Sequence, residues 1–147
     1  MKTINKTICV LLFLFGAYSG LAQHVPINTF LKTVEEMAAF NIYETTCTVG
    51  YSNSYSTQYE RYKFLTQVNS EDLILLASTH KNPVVRLYAF QAIKKRNIEI
   101  PQALIEKFKN DASEVISLQG CLAENTTVNK LNNEIFLPLT TYKLGQQ

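Results

Sequence analysis

Residues 72–97 constrain what this chain can fold into more than any other stretch, because two helical patterns meet there at a turn that a helix cannot cross. Residues 73–77 form an unbroken apolar run, preceded by Ser70, Glu71 and Asp72. A hydroxyl accepts from the unpaired first-turn amides and acids complement the positive helix end, so Ser70 reads as the cap of a helix over residues 71–78. The run is too continuous for a solvent-facing helix and reads as sandwiched between neighbours. At His80, Lys81 and Asn82 the chain turns polar. Pro83 then opens a second helix at the position where its missing donor loses no bond, followed by Val84, Val85, Arg86, Ala89, Phe90, Ala92 and Ile93.

Upstream, Phe30, Leu31, Val34, Met37, Ala38 and Phe40 recur at offsets of three and four, which predicts an amphipathic helix over residues 25–40. Residues 41–54 break into Thr, Gly, Ser and Asn, with Cys47 and Gly50 among them, and read as a loop. Tyr51, Tyr55, Tyr59 and Tyr62 then follow at spacings that share one face of a helix, with Ser56 as its cap and Val68 near its end. Tyrosine suits recognition of partners or glycans. A stripe continuing into Phe64 and Leu65 is more simply a face turned to a neighbouring helix, with Tyr51 and Tyr55 at its exposed end.

Thirty residues after Val85 stands Val115, and the surrounding pattern is a weaker copy of the first unit. Pro101 precedes a helix bearing Ala103, Leu104, Ile105 and Phe108, residues 110–113 make the turn, and a helix over 114–122 completes the pair. The copy departs from the first: no proline opens its second helix, Ile116 stands where Arg86 stood, and Gly120 replaces Phe90. Thr127 caps a closing helix through Val128, Leu131, Ile135 and Phe136, ended by Pro138.

The unit at residues 72–97 resembles one HEAT repeat. Residues 51–136 as a whole resemble a small family of exported bacterial proteins with HEAT-like helical repeats, and His80-Lys81-Asn82-Pro83-Val84-Val85-Arg86 is the most specific mark. The resemblance implies an all-α fold: a short stack of antiparallel helix pairs, a HEAT-like α-solenoid, in a single domain. It implies structural roles for Pro83 at the helix start and for Arg86, at the place where such repeats carry an arginine tying adjacent turns together. It carries over no activity.

The first residues point to export. Lys2 and Lys6 make a basic start, residues 8–15 are almost unbroken apolar, and residues 16–22 turn small and polar, the three-part pattern of a secretory signal peptide. Gly20-Leu21-Ala22 places the cut after Ala22. The apolar core is shorter than the roughly 20 residues that span a bilayer, so no membrane anchor is expected. The division is then a signal peptide over 1–22, an N-terminal helix and loop over 23–50, and the helical repeat domain over 51–147. Without Lys2 and Lys6, the 14 basic residues fall to 12 against 12 acidic ones, and the mature chain is neutral. It lacks the basic footprint of a nucleic-acid binder. Lys94, Lys95 and Arg96 form the one tight basic cluster, at a helix end where cations are favoured.

Two cysteines survive cleavage, Cys47 and Cys121, in a compartment where disulfides persist. A bridge between them would close a loop worth roughly 4 kcal/mol in the chain-entropy model. Two separate small buried residues are equally compatible with the sequence.

Catalytic readings find little support. Cys47, Cys121 and His80 supply a thiol and a base without a local signature. His24 and His80 are isolated, so no metal site and no cofactor is expected. Glu35, Glu36, Glu71 and Asp72 read as helix-surface or first-turn charges. No glycine-rich phosphate loop occurs, and Asn125-Thr126-Thr127 matches a glycosylation acceptor. The expectation is a periplasmic or secreted, non-catalytic module of the adaptor or inhibitor kind. It would bind a protein partner through Tyr51, Tyr55, Lys81, Asn82, Asn110 and Asp111. A small hydrolase or ligand-binding protein with an unrecognised pocket is the alternative.

Overall fold

A computed structural model of the chain describes residues 26–44, 46–50 and 54–136. The expected leader, its expected cleavage site after Ala22 and Tyr51 lie outside the described residues. Helix α1 spans Ile27–Phe40, and strand β1 follows at Ile42–Glu44. Strands β2 (Thr48–Val49) and β3 (Ser54–Tyr55) pair antiparallel in a small second sheet. Helices α2 (Thr57–Leu65), α3 (Ser70–Thr79), α4 (Pro83–Lys95) and α5 (Gln102–Asn110) come next. Strands β4 (Glu114–Gln119) and β5 (Leu122–Thr127) and helix α6 (Val128–Phe136) complete the order.

The fold is mixed α/β, which corrects the all-α, HEAT-like solenoid expected from the sequence. The decisive segment is residues 114–122, expected as the second helix of a second repeat. It is a hairpin. Val115 and Ser117 face inward while Glu114 and Ile116 face solvent, the period-two alternation of a half-buried strand. Gln119 pairs with Leu122, so Gly120 and Cys121 form a two-residue turn, and Gly120 adopts the positive φ of 59° required at its first position. Residues 41–54, expected as loop, supply β1 and one side of the small sheet. The main sheet runs β1-β4-β5, with β1 parallel to β4 and β4 antiparallel to β5. The expected tyrosine stripe is also absent: Tyr55 lies on β3, and only Tyr59 and Tyr62 share α2.

Local chemistry sets the helix ends. Ser56 Oγ accepts from the Tyr59 amide at the start of α2. Asn69, one residue ahead of the expected Ser70, caps α3 by accepting from the Asp72 amide. Asn82 Oδ1 accepts from both Val84 and Val85, with Pro83 at the first helical position. Helix α4 is buried on almost every side, as a helix without a polar face must be. It packs against α1, α2, α3, α6, β1 and β4. Phe90 stacks on Phe108 of α5 with centroids 4.1 Å apart. Phe30, Val34, Met37 and Tyr43 join the same core as Leu65, Leu73, Phe90 and Val128, so α1 and β1 share one hydrophobic centre with the later elements. Among the described residues, no helix is long and apolar enough to cross a membrane.

Candidate functional site

The turn between α3 and α4 is fixed from both sides. On one side Asn82 Nδ2 donates to the Ala38 carbonyl at 3.3 Å and to Asn41 Oδ1 at 2.7 Å, binding the turn to the end of α1. On the other lies Arg86, buried with only 7 % of its surface exposed. Its Nη1 donates to the carbonyls of His80 at 2.9 Å and Lys81 at 3.0 Å, closing the turn over its own helix. Nε and Nη2 donate to Asp111 Oδ2 at 3.1 and 2.6 Å, and Nη2 also reaches Ser113 Oγ at 3.0 Å. The planar fork is suited to this, since one guanidinium holds a carboxylate and two carbonyls at once.

Asp111 carries the knot onward. Its Oδ1 accepts from the Ser113 amide at 3.1 Å, and its carbonyl accepts from Asn129 at 2.9 Å, while the Ser113 carbonyl accepts from Val128 at 3.0 Å. The starts of α4, β4 and α6 therefore meet at one charge pair. Burial pushes the Asp111 carboxyl up, but the hydrogen bonds from Ser113 and Arg86 and the Arg86 charge outweigh it and hold the group below its ordinary value.

Over this pair opens a cleft of about 670 Å³ between the turn and α5, with Arg86 and Asp111 in its lining. His80 and Lys81 line one side; Glu106, Lys107 and Asn110 line the other. Lys107 Nζ donates to the Ser78 carbonyl across the rim. Glu106 Oε1 accepts from Lys109 at 2.9 Å and Gln102 at 3.0 Å. Lys81 is exposed, and its ammonium has no partner among the described residues. Burial, with the Arg86 and Lys81 charges adding to it, lowers the His80 pKa against the opposing Asn82 hydrogen bond. Nδ1 accepts from the Asn82 amide at 3.1 Å, so in the neutral imidazole the proton sits on Nε2.

Arg86 spends its donors on the floor, and Ser113 Oγ accepts from that arginine rather than presenting a nucleophile to His80. No group of three or more metal-ligating side chains occurs among the described residues.

Of the residues expected to contact a partner, Lys81, Asn110 and Asp111 are brought together in the cleft. Asn82 is turned away to α1. Tyr55 stands apart on β3, donating to Glu60 Oε1 and accepting from Lys63 Nζ at 3.5 Å. Cys47 and Cys121 are free and exposed and do not line the cleft. Sequence reasoning missed Glu106 and Lys107, which the polar face of α5 could have supplied, and the acidic partner of Arg86, whose signal was the Asp directly after that helix. It also missed a buried polar cluster. Glu44, 4 % exposed, accepts from Ser56 Oγ, and Gln58 Nε2 donates to the carbonyls of Met37 at 3.3 Å and Ile42 at 3.0 Å. Ser56 is at once this donor and the cap of α2, which makes the cluster a joint between β1 and α2. The basic run is likewise engaged: Lys95 lies 5.5 Å from the Tyr62 ring centre and Arg96 donates to the Val68 carbonyl. Comparison of the chain with protein-family models, with curated proteins and with solved structures finds no match.

Proposed function

We propose that this protein is an exported, non-catalytic binding module, of the adaptor or inhibitor kind, whose protein partner docks on the cleft above Arg86 and Asp111. The observation that carries this reading is the division of labour in the cleft. The floor charges neutralise each other and are locked by hydrogen bonds, while Lys81 stands exposed at the rim, its ammonium without a partner among the described residues. A hydrogen-bonded floor with an exposed cation at its edge suits an acidic side chain or carboxylate of a partner, since a preorganised surface loses little freedom on binding. Export rests on the leader pattern of residues 1–22.

Affinity capture from envelope extract and culture medium, with wild type beside Lys81→Glu and Lys107→Glu variants, tests the reading. One stoichiometric partner, retained by wild type and lost with the charge reversals, supports it. Retention by both variants overturns the cleft as the docking surface. The His80 imidazole in the lining favours a second reading, a small-ligand or hydrolase site. A folded His80→Ala variant that loses a ligand or an activity while keeping its protein partner would favour that one.

A further inference from the structure

The parallel strands β1 and β4 pair Ile42 with Ile116, Tyr43 with Ser117 and Glu44 with Leu118, each pair 74 residues apart. Cys47 and Cys121 are separated by the same 74 residues. The two chain segments stay together beyond the last ladder pair, because the Gly50 amide donates to the Gly120 carbonyl at 2.9 Å. Cys47 thus lies midway between two anchored points, three residues from Glu44 and three from Gly50. Cys121 lies three residues from Leu118 and next to Gly120. Paired strands lie about 4.7–4.9 Å apart, and a disulfide needs Cα atoms about 4.4–6.8 Å apart.

Both backbones are anchored by hydrogen bonds close to this junction. The Cys47 carbonyl accepts from the Ser56 amide at 3.0 Å, at the base of the β2-β3 hairpin. Cys121 sits in the two-residue turn closed by Gln119 and Leu122. Both thiols are free and exposed, so a reagent can reach either.

We infer that Cys47 and Cys121 are a disulfide pair that clasps the base of the β2-β3 hairpin to the turn of the β4-β5 hairpin. The bridge forms by exchange with a disulfide donor such as oxidised glutathione. One cysteine thiolate attacks the donor, displacing one donor thiolate and leaving a mixed disulfide. The second cysteine thiolate then attacks the protein sulfur and displaces the other donor thiolate. Two protons and two electrons pass from the protein to the donor, which leaves as two thiols. The geometry is independent of the cleft and of export; export decides only whether the chain meets an oxidising donor.

The test is non-reducing peptide mapping of the full-length chain, reduced and then equilibrated in a glutathione redox buffer. The expected product is a monomer in which both thiols vanish together and one linked peptide joins Cys47 to Cys121. Its unfolding midpoint should rise by roughly 10 °C and fall back on reduction. Cys47→Ser and Cys121→Ser, at exposed positions, should each stay folded, leave the remaining thiol to form a mixed disulfide with glutathione, and abolish the thermal shift. Thiols that stay free, separate glutathione adducts in the wild-type chain, pairing of either cysteine with Cys9, or an intermolecular dimer would each overturn the inference.

Discussion

Arg86 and Asp111, 25 residues apart, meet through two hydrogen bonds to one carboxylate oxygen, and each side chain is only 8 % exposed. This pair is both the floor of the cleft and the point where α4, β4 and α6 are joined.

Removing one partner leaves the other charge buried without compensation. Arg86→Ala should therefore destabilise the fold by about 3–5 kcal/mol in urea denaturation. Arg86→Lys should recover only part of that, because a point charge cannot serve Asp111 and the carbonyls of His80 and Lys81 together. A loss below about 1 kcal/mol for the alanine variant would mean that the three elements hold together without the pair.

Two groups in this region tie stability to pH with the same sign. The Asp111 carboxyl is held below its ordinary value of 3.8, so the unfolded chain takes up the proton first as pH falls. Its contribution is complete above the ordinary value and is lost as pH falls through the depressed one. His80 is held below 6.5 by burial, so the unfolded chain again binds the proton first, and its contribution is complete above 6.5 and declines below it. Urea midpoints measured from pH 8 downward should fall in two stages. His80→Gln should remove the upper stage and Asp111→Asn the lower.

Tyr43 and Tyr88 are both buried with ring centroids 4.9 Å apart, yet their hydroxyls differ. Tyr88 accepts from the Glu44 amide at 2.7 Å and donates to the Glu44 carbonyl at 3.1 Å, whereas the Tyr43 hydroxyl has no partner among the described residues. Tyr88→Phe should cost about 1–3 kcal/mol by stranding buried backbone groups. Tyr43→Phe should be neutral or slightly stabilising. Equal losses in thermal unfolding would refute the distinction.

At Gly120 a Cβ would meet nothing within 4 Å, so substitution costs only backbone strain at φ 59°. Gly120→Ala should destabilise by about 1 kcal/mol and Gly120→Asn by less, since Asn tolerates the left-handed region. Chemical denaturation of the two variants separates this from a packing effect, which would make the larger Asn the worse substitution.

The helical half of the molecule was legible because its signals are local. Pro83 after Asn82, and Ser56 three residues before Tyr59, mark helix ends through contacts within a single turn. The strands were not legible for the opposite reason. Residues 42–44 are too short to show a period, and what makes them a strand is pairing with residues 116–118, far along the chain. Residues 114–122 did carry alternation, but Val115 and Leu118 also fit helical spacing, and the weak copy of the first repeat tipped the reading. Lys81, Asn110 and Asp111 were found as turn residues, whereas their assembly over Arg86 depends on how α5 packs. Tyr55 looked like part of a helical stripe because its spacing to Tyr59 fits one, although Ser56 as the cap already put Tyr55 ahead of the helix.

The parallel pairing of β1 with β4 sets an order of events during synthesis. β1 is made early, yet its neighbour in the sheet emerges 74 residues later, and α4, which buries Tyr43 from the other side, cannot by itself satisfy that strand's edge. Closing such a long loop is slow, so β1 waits unpaired for β4. A strand whose partner lies so far along the chain keeps its edge amides and carbonyls open to water, or to a wrong partner, for the whole of that interval.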